Sequence, residues 1–572
     1  MACIRVLLAA GADIDRPDAI GCTALYYAAH GGQLAALELL LSHGAKVLGW
    51  QLSTTDPLCI AAFNGHLDCV RMLVMAGSVI ITDRRYGFSA LNDAAQNGHV
   101  KTLQYLLQQG GSANAESSPA GGTPLLIASM EGQLACMQIL LDAGADINHT
   151  DSYNRTALYY AAGEGQLTAL QFLLAAGAKM QGCSFYNSDP LFAATFNGHL
   201  DCVRALLIAG CPVVSSKQHR YSALHCAAQN GHVGTLEYLL IQGVSVNAES
   251  TASGGTPLLL AAQQGQLACM KTLLNAGADI NSPNKKGRTA LYCAAGEGQC
   301  GALKLLLRSG ATVQGWRSCE SDPLCIAAFN GHLACVQALV GAGAVIVTGR
   351  KYGFSALNDA AQNGHVMILK YLLQQGISAN AESTPTGGTA LLAAAHQDQL
   401  ACMETLLNAG AEINRPCSCG RTALHYAARA GRLIAVNYLL GHCAVVNCRD
   451  RDGETPLLAA CRNGHEAVVT ELLEGGANPR MAVRNQTPLY IAAMGGHLEM
   501  VDCLLAAGAD PLEHSGVVFC FGRHVPRQIA QKKRDSATRA CEKERYASVV
   551  QRLQTFSHAR FKTKAGSVLE LP

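Results

Sequence analysis

GCTALYYAAHGGQLAALELLLSHGA, residues 21–45, decides how this chain is built. Helix rules divide it into two short helices separated by glycine. Thr23 offers a hydroxyl to cap the first helix. Leu25, Ala28 and Ala29 follow at helical spacing, and the small alanines allow a neighbouring helix to come close. Gly32 ends this helix. Leu34, Leu37, Leu40 and Leu41 then line one face of a second helix, and Gly44 stands where a left-handed C-cap is expected. The rest of the unit suits a turn and a short extended finger. A unit of this size cannot bury such a face alone, whereas stacked copies bury it continuously.

The copies are present. TALYYAA, TALYYAA, TALYCAA and TALHYAA begin at Thr23, Thr156, Thr289 and Thr422, successive threonines lying 133 residues apart. Pro57, Pro190 and Pro323 keep that spacing, as do Thr123, Thr256 and Thr389. Within each block a unit of about 33 residues recurs four times, so a short period sits inside a long one. Proline follows the capping threonine at Pro124, Pro257 and Pro456, where a first helical turn does not need its N–H. Segments 58–68 and 324–334 differ only in Asp68 becoming Ala334, so four distinct units were duplicated as a set.

Bulk properties agree with a packed, uncharged stack. The 572 residues carry a net charge of +2, with 15% charged and 49% hydrophobic side chains. That balance favours burial over disorder and gives no global attraction to nucleic acid or membrane. There are 24 cysteines, many at repeating helical positions such as Cys69, Cys202 and Cys335, or Cys136, Cys269 and Cys402. Such residues read as small apolar core groups rather than a disulfide framework. They point to an intracellular, reducing compartment: the cytoplasm, with the nucleus left open. No apolar run is long enough for a membrane helix. MACIRVLLAAGADID at the start matches LACMQILLDAGADIN 133 residues later, so it reads as the second half of a repeat rather than a signal segment.

These words resemble the ankyrin repeat. The resemblance is carried by Thr455-Pro456-Leu457, Leu424-His425-Tyr426-Ala427-Ala428, Asn64-Gly65-His66-Leu67 and the tail Leu140-Leu141-Asp142-Ala143-Gly144-Ala145-Asp146-Ile147-Asn148. It implies an all-α solenoid of helix-turn-helix units, each with a β-hairpin finger. About fifteen units are expected after an N-terminal half repeat, ahead of a C-terminal helical cap. At packed-helix spacing, such a stack forms a curved rod roughly 150 Å long. The expected boundaries are a partial repeat over 1–19, blocks over 20–152, 153–285 and 286–418, further repeats over 419–512, and a degenerate cap with a basic tail over 513–572.

Two departures from the repeat pattern stand out. The histidine of the Thr-x-Leu-His word survives as His225 and His425, while Tyr26, Cys59, Asn92, Leu126 and Phe192 replace it elsewhere. Those units are expected to lose a hydrogen-bonding group. Cys443 occupies a capping-glycine position and marks a soft spot.

Catalytic signatures are missing. The chain has neither a phosphate-loop word nor a nucleophile elbow. His465-Glu466 opens a zinc-protease word that Val469 breaks. Cys417-Ser418-Cys419 is too tight for a metal pair and has no answering pair, so these read as ordinary finger cysteines. His66, His99, His199, His232, His332, His365, His465 and His497 all follow a turn glycine. Eight copies of one geometry suggest a hydrogen bond to neighbouring backbone. No catalytic residue, metal or cofactor is expected.

The expected function is that of a non-catalytic scaffold or adaptor for partner proteins, acting as a monomer. Alternatives are the repeat region of a larger enzyme or signalling protein continuing upstream of the mid-repeat start, and a substrate adaptor of a ubiquitin ligase. The resemblance implies that partners contact finger tips and the exposed end of the first helix, on the concave side. Carried onto this chain, that places Phe63, Phe196 and Phe329 as anchors, where other units carry Gln96, Glu164 or Arg462. Finger candidates are Trp50 and Trp316, together with Arg84, Arg85 and Tyr86 and their counterparts Arg350, Lys351 and Tyr352. Recurrence every four repeats suggests multivalent engagement. The basic tail reads as a solvated capping face, and nucleic acid is not expected to bind it.

Overall fold

The computed structural model describes residues 2–47, 56–80, 89–116, 121–180, 189–212, 222–250, 253–313, 322–344, 355–382, 387–484, 486–511, 526–537 and 540–566. The chain forms two compact units, Met1–Lys286 and Gly287–Pro572. In the first, the helix Ala2–Ala9 is followed by eight helix pairs, from Ala24–His30 with Leu34–Ser42 to Pro257–Gln264 with Leu267–Asn275. The second contains seven pairs, from Ala290–Gly296 with Cys300–Arg308 to Pro488–Gly495 with Leu498–Ala506. The helices Pro526–Ser536 and Ala540–Gly566 follow.

Capping sets each helix start. Thr23, Thr156, Thr289 and Thr455 accept hydrogen bonds from the backbone N–H three residues on. Asp56, Asp189 and Asp322 do the same two residues on, directly ahead of a first-turn proline. The second helices close on left-handed glycines such as Gly44, at φ +88°. Cys443 takes that conformation without being glycine, at φ +64°. A Cβ in the left-handed region costs about 1 kcal/mol, which gives the expected soft spot a physical cause.

The core is the seam between successive pairs. Leu25, Ala28 and Ala29 are buried, and their counterparts repeat along both units. Cys69, Val70 and Leu73 form the buried stripe of a second helix, as do Cys136, Met137 and Leu140. The repeating cysteines are therefore core residues. The proposed four-leucine face needs correction: Leu37 and Leu40 are buried, Leu41 is half-buried and Leu34 is exposed. Leu34 is the first residue of its helix, one turn ahead of the stripe that meets the neighbouring helices.

The described finger residues carry no hairpin ladder. Among the described residues no strand forms, and one isolated bridge joins Val483 to Gln486. Successive fingers are tied by asparagines instead. The Asn114 amide donates to the Gly144 carbonyl at 3.0 Å, and its oxygen accepts from Asp146 N at 2.7 Å. Asn380 makes the same pair of bonds to Gly410 and Glu412. Side-chain-to-backbone pairing satisfies the turns, so no ladder is needed to do so.

The C-terminal helices pack on the last helix pair. Ala530, Val549, Val550 and Leu553 are buried. Two basic side chains of this tail turn inward: Arg545 Nε donates to the Gly496 carbonyl at 2.9 Å, and Arg552 meets Asp502 at 2.6 Å. No helix among the described residues is long and apolar enough to cross a membrane.

Candidate protein-binding surface

The eighth residue of each unit, counted from the N-cap, closes the first helix. Its carbonyl has lost its helical partner and must find another. The residue after the next unit's turn glycine supplies one. His66 Nε2 donates to the His30 carbonyl at 3.1 Å, His99 to Phe63 at 2.9 Å and His232 to Phe196 at 2.8 Å. In the second unit His332 reaches Gly296, His365 reaches Phe329 and His465 reaches Arg429, at 3.0, 2.9 and 3.1 Å. These rings are structural rungs, as their recurrence implied. At His497 the ring instead contacts the Glu466 carboxylate at 3.3 Å.

Sequence reasoning did not see that other residues serve the same rung. Gln133 donates to the Gln96 carbonyl, Gln166 to Met130, and Arg432 Nε to His396. The Tyr546 hydroxyl ends the series on the Met494 carbonyl at 3.1 Å. The available signal was the residue type after the turn glycine, a side-chain N–H donor at Gln133, Gln166 and Arg432. The turn glycine is itself required. A Cβ on Gly65, at φ +73°, would sit 2.4 Å from the His99 ring.

Phe63, Phe196 and Phe329 all stand at the rung position, with their backbone held by the next repeat. Their side chains remain 40%, 46% and 44% exposed. Such exposure leaves part of each ring open. Phe196 stacks on Phe192 with centroids 5.8 Å apart, forming a double ring in block 2. Trp50, Trp316, Arg84, Arg85, Tyr86, Arg350, Lys351 and Tyr352 lie outside the described residues.

The expected loss of hydrogen bonding in units without the Thr-x-Leu-His histidine does not hold for Asn92. His225 and His425 bridge from their own N-cap to the carbonyls of Gly255 and Glu454 in the next unit, at 2.9 and 3.0 Å. Asn92 reaches the Gly122 carbonyl at 3.1 Å and Asn358 reaches Gly388 at 3.2 Å. An asparagine amide is long enough to keep the inter-repeat bond.

Beside these asparagines lie buried carboxyls. Burial pushes Asp93 up to about 7; the Cys59 thiol hydrogen bond opposes that rise and the nearby Asp56 charge adds to it. Asp359 is likewise pushed up to about 7 by burial, opposed by Cys325 and aided by Asp322. In block 2, Phe192 and Cys226 replace the Cys59 and Asp93 types, and burial drives the Cys226 thiol up to about 12. Burial similarly raises Cys136, Cys202, Cys269, Cys335 and Cys402 to about 11, which makes them inert core thiols.

The later units carry charge at the rung position. Arg462 Nε lies 3.1 Å from the Glu454 carboxylate, and Arg429 contributes a second contact at 3.9 Å. Arg421 pairs with the buried Asp450 at 3.0 Å.

Family models describing ankyrin repeats match residues 49–117, 91–182, 180–250, 244–315, 312–383 and 435–514, and further matches cover 1–41 and 391–440. Among solved structures, the human ASB11 ankyrin repeat domain is 28% identical over 39% of this chain and 98% of its own, with a TM-score of 0.36. No curated protein matches the sequence. Matched from its first residues to 514, this chain belongs to the ankyrin-repeat family.

Proposed function

We propose that this protein is a non-catalytic scaffold that grips partner proteins along the exposed ends of its first helices, with Phe63, Phe196 and Phe329 as apolar anchors. The observation that carries this reading is the pairing of exposure with fixed backbone. Each ring is at least 40% exposed. The carbonyl of each anchor is held by a histidine of the next repeat. A large apolar side chain on a pre-organised backbone loses little freedom on binding, which is the usual economy of an interface anchor. Ankyrin repeats are protein-interaction modules, and the anchors recur once per block, which suits a partner with repeated sites or several copies of one partner.

Trp50, Trp316, Arg84, Arg85, Tyr86, Arg350, Lys351 and Tyr352 would add aromatic and basic contacts at the finger tips, favouring an acidic partner. The proposed setting is a monomer in a reducing, intracellular compartment.

The test is affinity capture with the full chain, repeated with a Phe63→Ala, Phe196→Ala, Phe329→Ala variant. Recovery of specific partners should fall at least about tenfold, with thermal stability nearly unchanged. Undiminished recovery would refute the anchors, and a large drop in melting temperature would make the rings structural. Binding that ignores salt between low and physiological concentration would remove the electrostatic part of the finger contribution.

A further inference from the structure

The long period sets one finger position four times, in three chemical versions. Residues 18, 151, 284 and 417 are Asp18, Asp151, Asn284 and Cys417. At the first two a carboxylate closes the turn. Asp18 Oδ1 accepts from Ile20 N and Cys22 N, both at 2.9 Å, while Oδ2 accepts from the Tyr27 hydroxyl at 2.6 Å. Asp151 repeats this with Tyr153 N, Arg155 N and the Tyr160 hydroxyl at 2.9, 2.8 and 2.7 Å.

At Cys417 the same backbone bond closes the turn and the hydrogen-bond-accepting atom is sulfur. Cys417 N donates to the Arg421 carbonyl at 2.9 Å, as Asp18 N does to Cys22 at 3.0 Å. Tyr426, nine residues on like Tyr27 and Tyr160, places its hydroxyl 3.7 Å from Cys417 Sγ. The second cysteine, Cys419, falls where Ile20 is 72% and Tyr153 60% exposed, the outward side of the turn. Its sulfur is 3.5 Å from Cys417 Sγ. Cys417 is buried and Cys419 is half-buried. Burial alone would raise the Cys417 thiol. Hydrogen bonds from the Tyr426 hydroxyl and the backbone N–H groups of Arg421 and Cys419 outweigh it and hold the thiol below its ordinary range. The Cys419 thiol moves the opposite way, chiefly through its hydrogen bond with Cys417.

We propose that Cys417 and Cys419 form a thiol–disulfide exchange site, with an outward sulfur that meets a small-molecule disulfide and an inner sulfur that closes an intramolecular bond. Starting with Cys417 as the thiolate, Cys419 passes its proton to Cys417 and attacks one sulfur of the disulfide RSSR. The S–S bond of RSSR breaks and RS⁻ leaves. Cys417 then releases its proton and attacks Cys419 Sγ, forming Cys417–S–S–Cys419 and expelling the second RS⁻. One leaving thiolate takes up that proton and the other takes a proton from solvent, so the cysteine pair loses two electrons and RSSR becomes two thiols. Closure brings the sulfurs from 3.5 Å to bonding distance, an approach of roughly 1.5 Å. The small ring makes the bond readily reduced again, the property of labile rather than structural disulfides. The Cys419 carbonyl accepts from Arg451 N of the next finger at 2.9 Å, so oxidation also reaches the neighbouring finger.

The test equilibrates the full chain with glutathione and glutathione disulfide, traps free thiols by alkylation and maps the peptide holding Cys417 and Cys419. The expected result is that this peptide loses two hydrogens and escapes alkylation at a disulfide fraction that also modifies the exposed Cys3 and Cys541, and regains both hydrogens when that fraction is lowered roughly tenfold. Cys417→Asp restores the turn chemistry of Asp18 and Asp151, so the fold is retained; in it Cys419 should be found only as free thiol or glutathione adduct. Cys419→Ser should abolish the internal bond, so that this peptide no longer loses two hydrogens. The proposal is overturned if both thiols stay fully alkylated while Cys3 and Cys541 are modified. It is equally overturned if the Cys417→Asp variant loses the same two hydrogens.

Discussion

The copied blocks and the repeats after Thr422 use one backbone position in opposite ways. In one unit of each block the rung position carries Phe63, Phe196 or Phe329, each exposed, with its backbone carbonyl held by a histidine. After Thr422 it carries Arg429 and Arg462, both turned onto Glu454 of the chain itself. The rung is the same, since Arg429 also gives its carbonyl to His465. What differs is the partner: the arginines meet a carboxylate of the chain, whereas the phenylalanines are proposed to meet another protein. The interior follows a related contrast. Asp93 and Asp359 bury carboxyls with thiol neighbours, whereas Asp450 buries its carboxylate against Arg421.

The largest effect expected from this contrast is a pH response confined to blocks 1 and 3. The unfolded carboxyl titrates near 3.8, and Asp93 and Asp359 titrate near 7 in the fold. Between those values only the folded state holds the proton, so local stability falls as pH rises through that window, by up to about 4 kcal/mol at each site. Hydrogen exchange should show weaker protection around Asp93 and Asp359 at pH 8 than at pH 5. The equivalent helices of block 2, where Cys226 stays neutral, should show no such change. Asp93→Asn and Asp359→Asn should flatten the response. Equal pH dependence in all three blocks would contradict the burial argument.

Next is Asp450→Ala. It removes the acceptor for Asp452 N and Glu454 N and leaves Arg421 without its carboxylate. A local loss of about 3 kcal/mol is expected in exchange protection over 419–454. A loss below about 0.5 kcal/mol would show the pair to be solvent-compensated. Smaller still is Cys443→Gly. Relieving a left-handed non-glycine residue should strengthen the end of helix Leu433–Gly441 by about 1 kcal/mol. No gain there would mean that the left-handed cysteine is unstrained.

How far the sequence could be read depended on whether a residue's role lies within one unit or between units. Caps and core cysteines are local or periodic, so Thr23 and Cys69 were legible. The rung histidines were legible because eight copies cannot all be sites. Gln133 and Arg432 were missed because a different residue type fills the same geometric need. Leu34 was misplaced because helical spacing alone does not say which neighbour a face meets. The burial of Asp93 was hidden, since the helices that desolvate it come from adjoining units. Cys417 looked like an ordinary finger cysteine until the turn at Asp18 and Asp151 showed which atom its sulfur replaces. The finger residues Trp50, Trp316, Arg84, Arg85, Tyr86, Arg350, Lys351 and Tyr352 stay as read from sequence.

The central claim is that the copied blocks present three equivalent anchors. Its most direct measurement is the dissociation constant of a captured partner for the intact chain and for the single, double and triple alanine variants at Phe63, Phe196 and Phe329. The account predicts a loss that deepens with each ring removed, about tenfold or more for the triple variant, at constant melting temperature. An unchanged dissociation constant in the triple variant would contradict it.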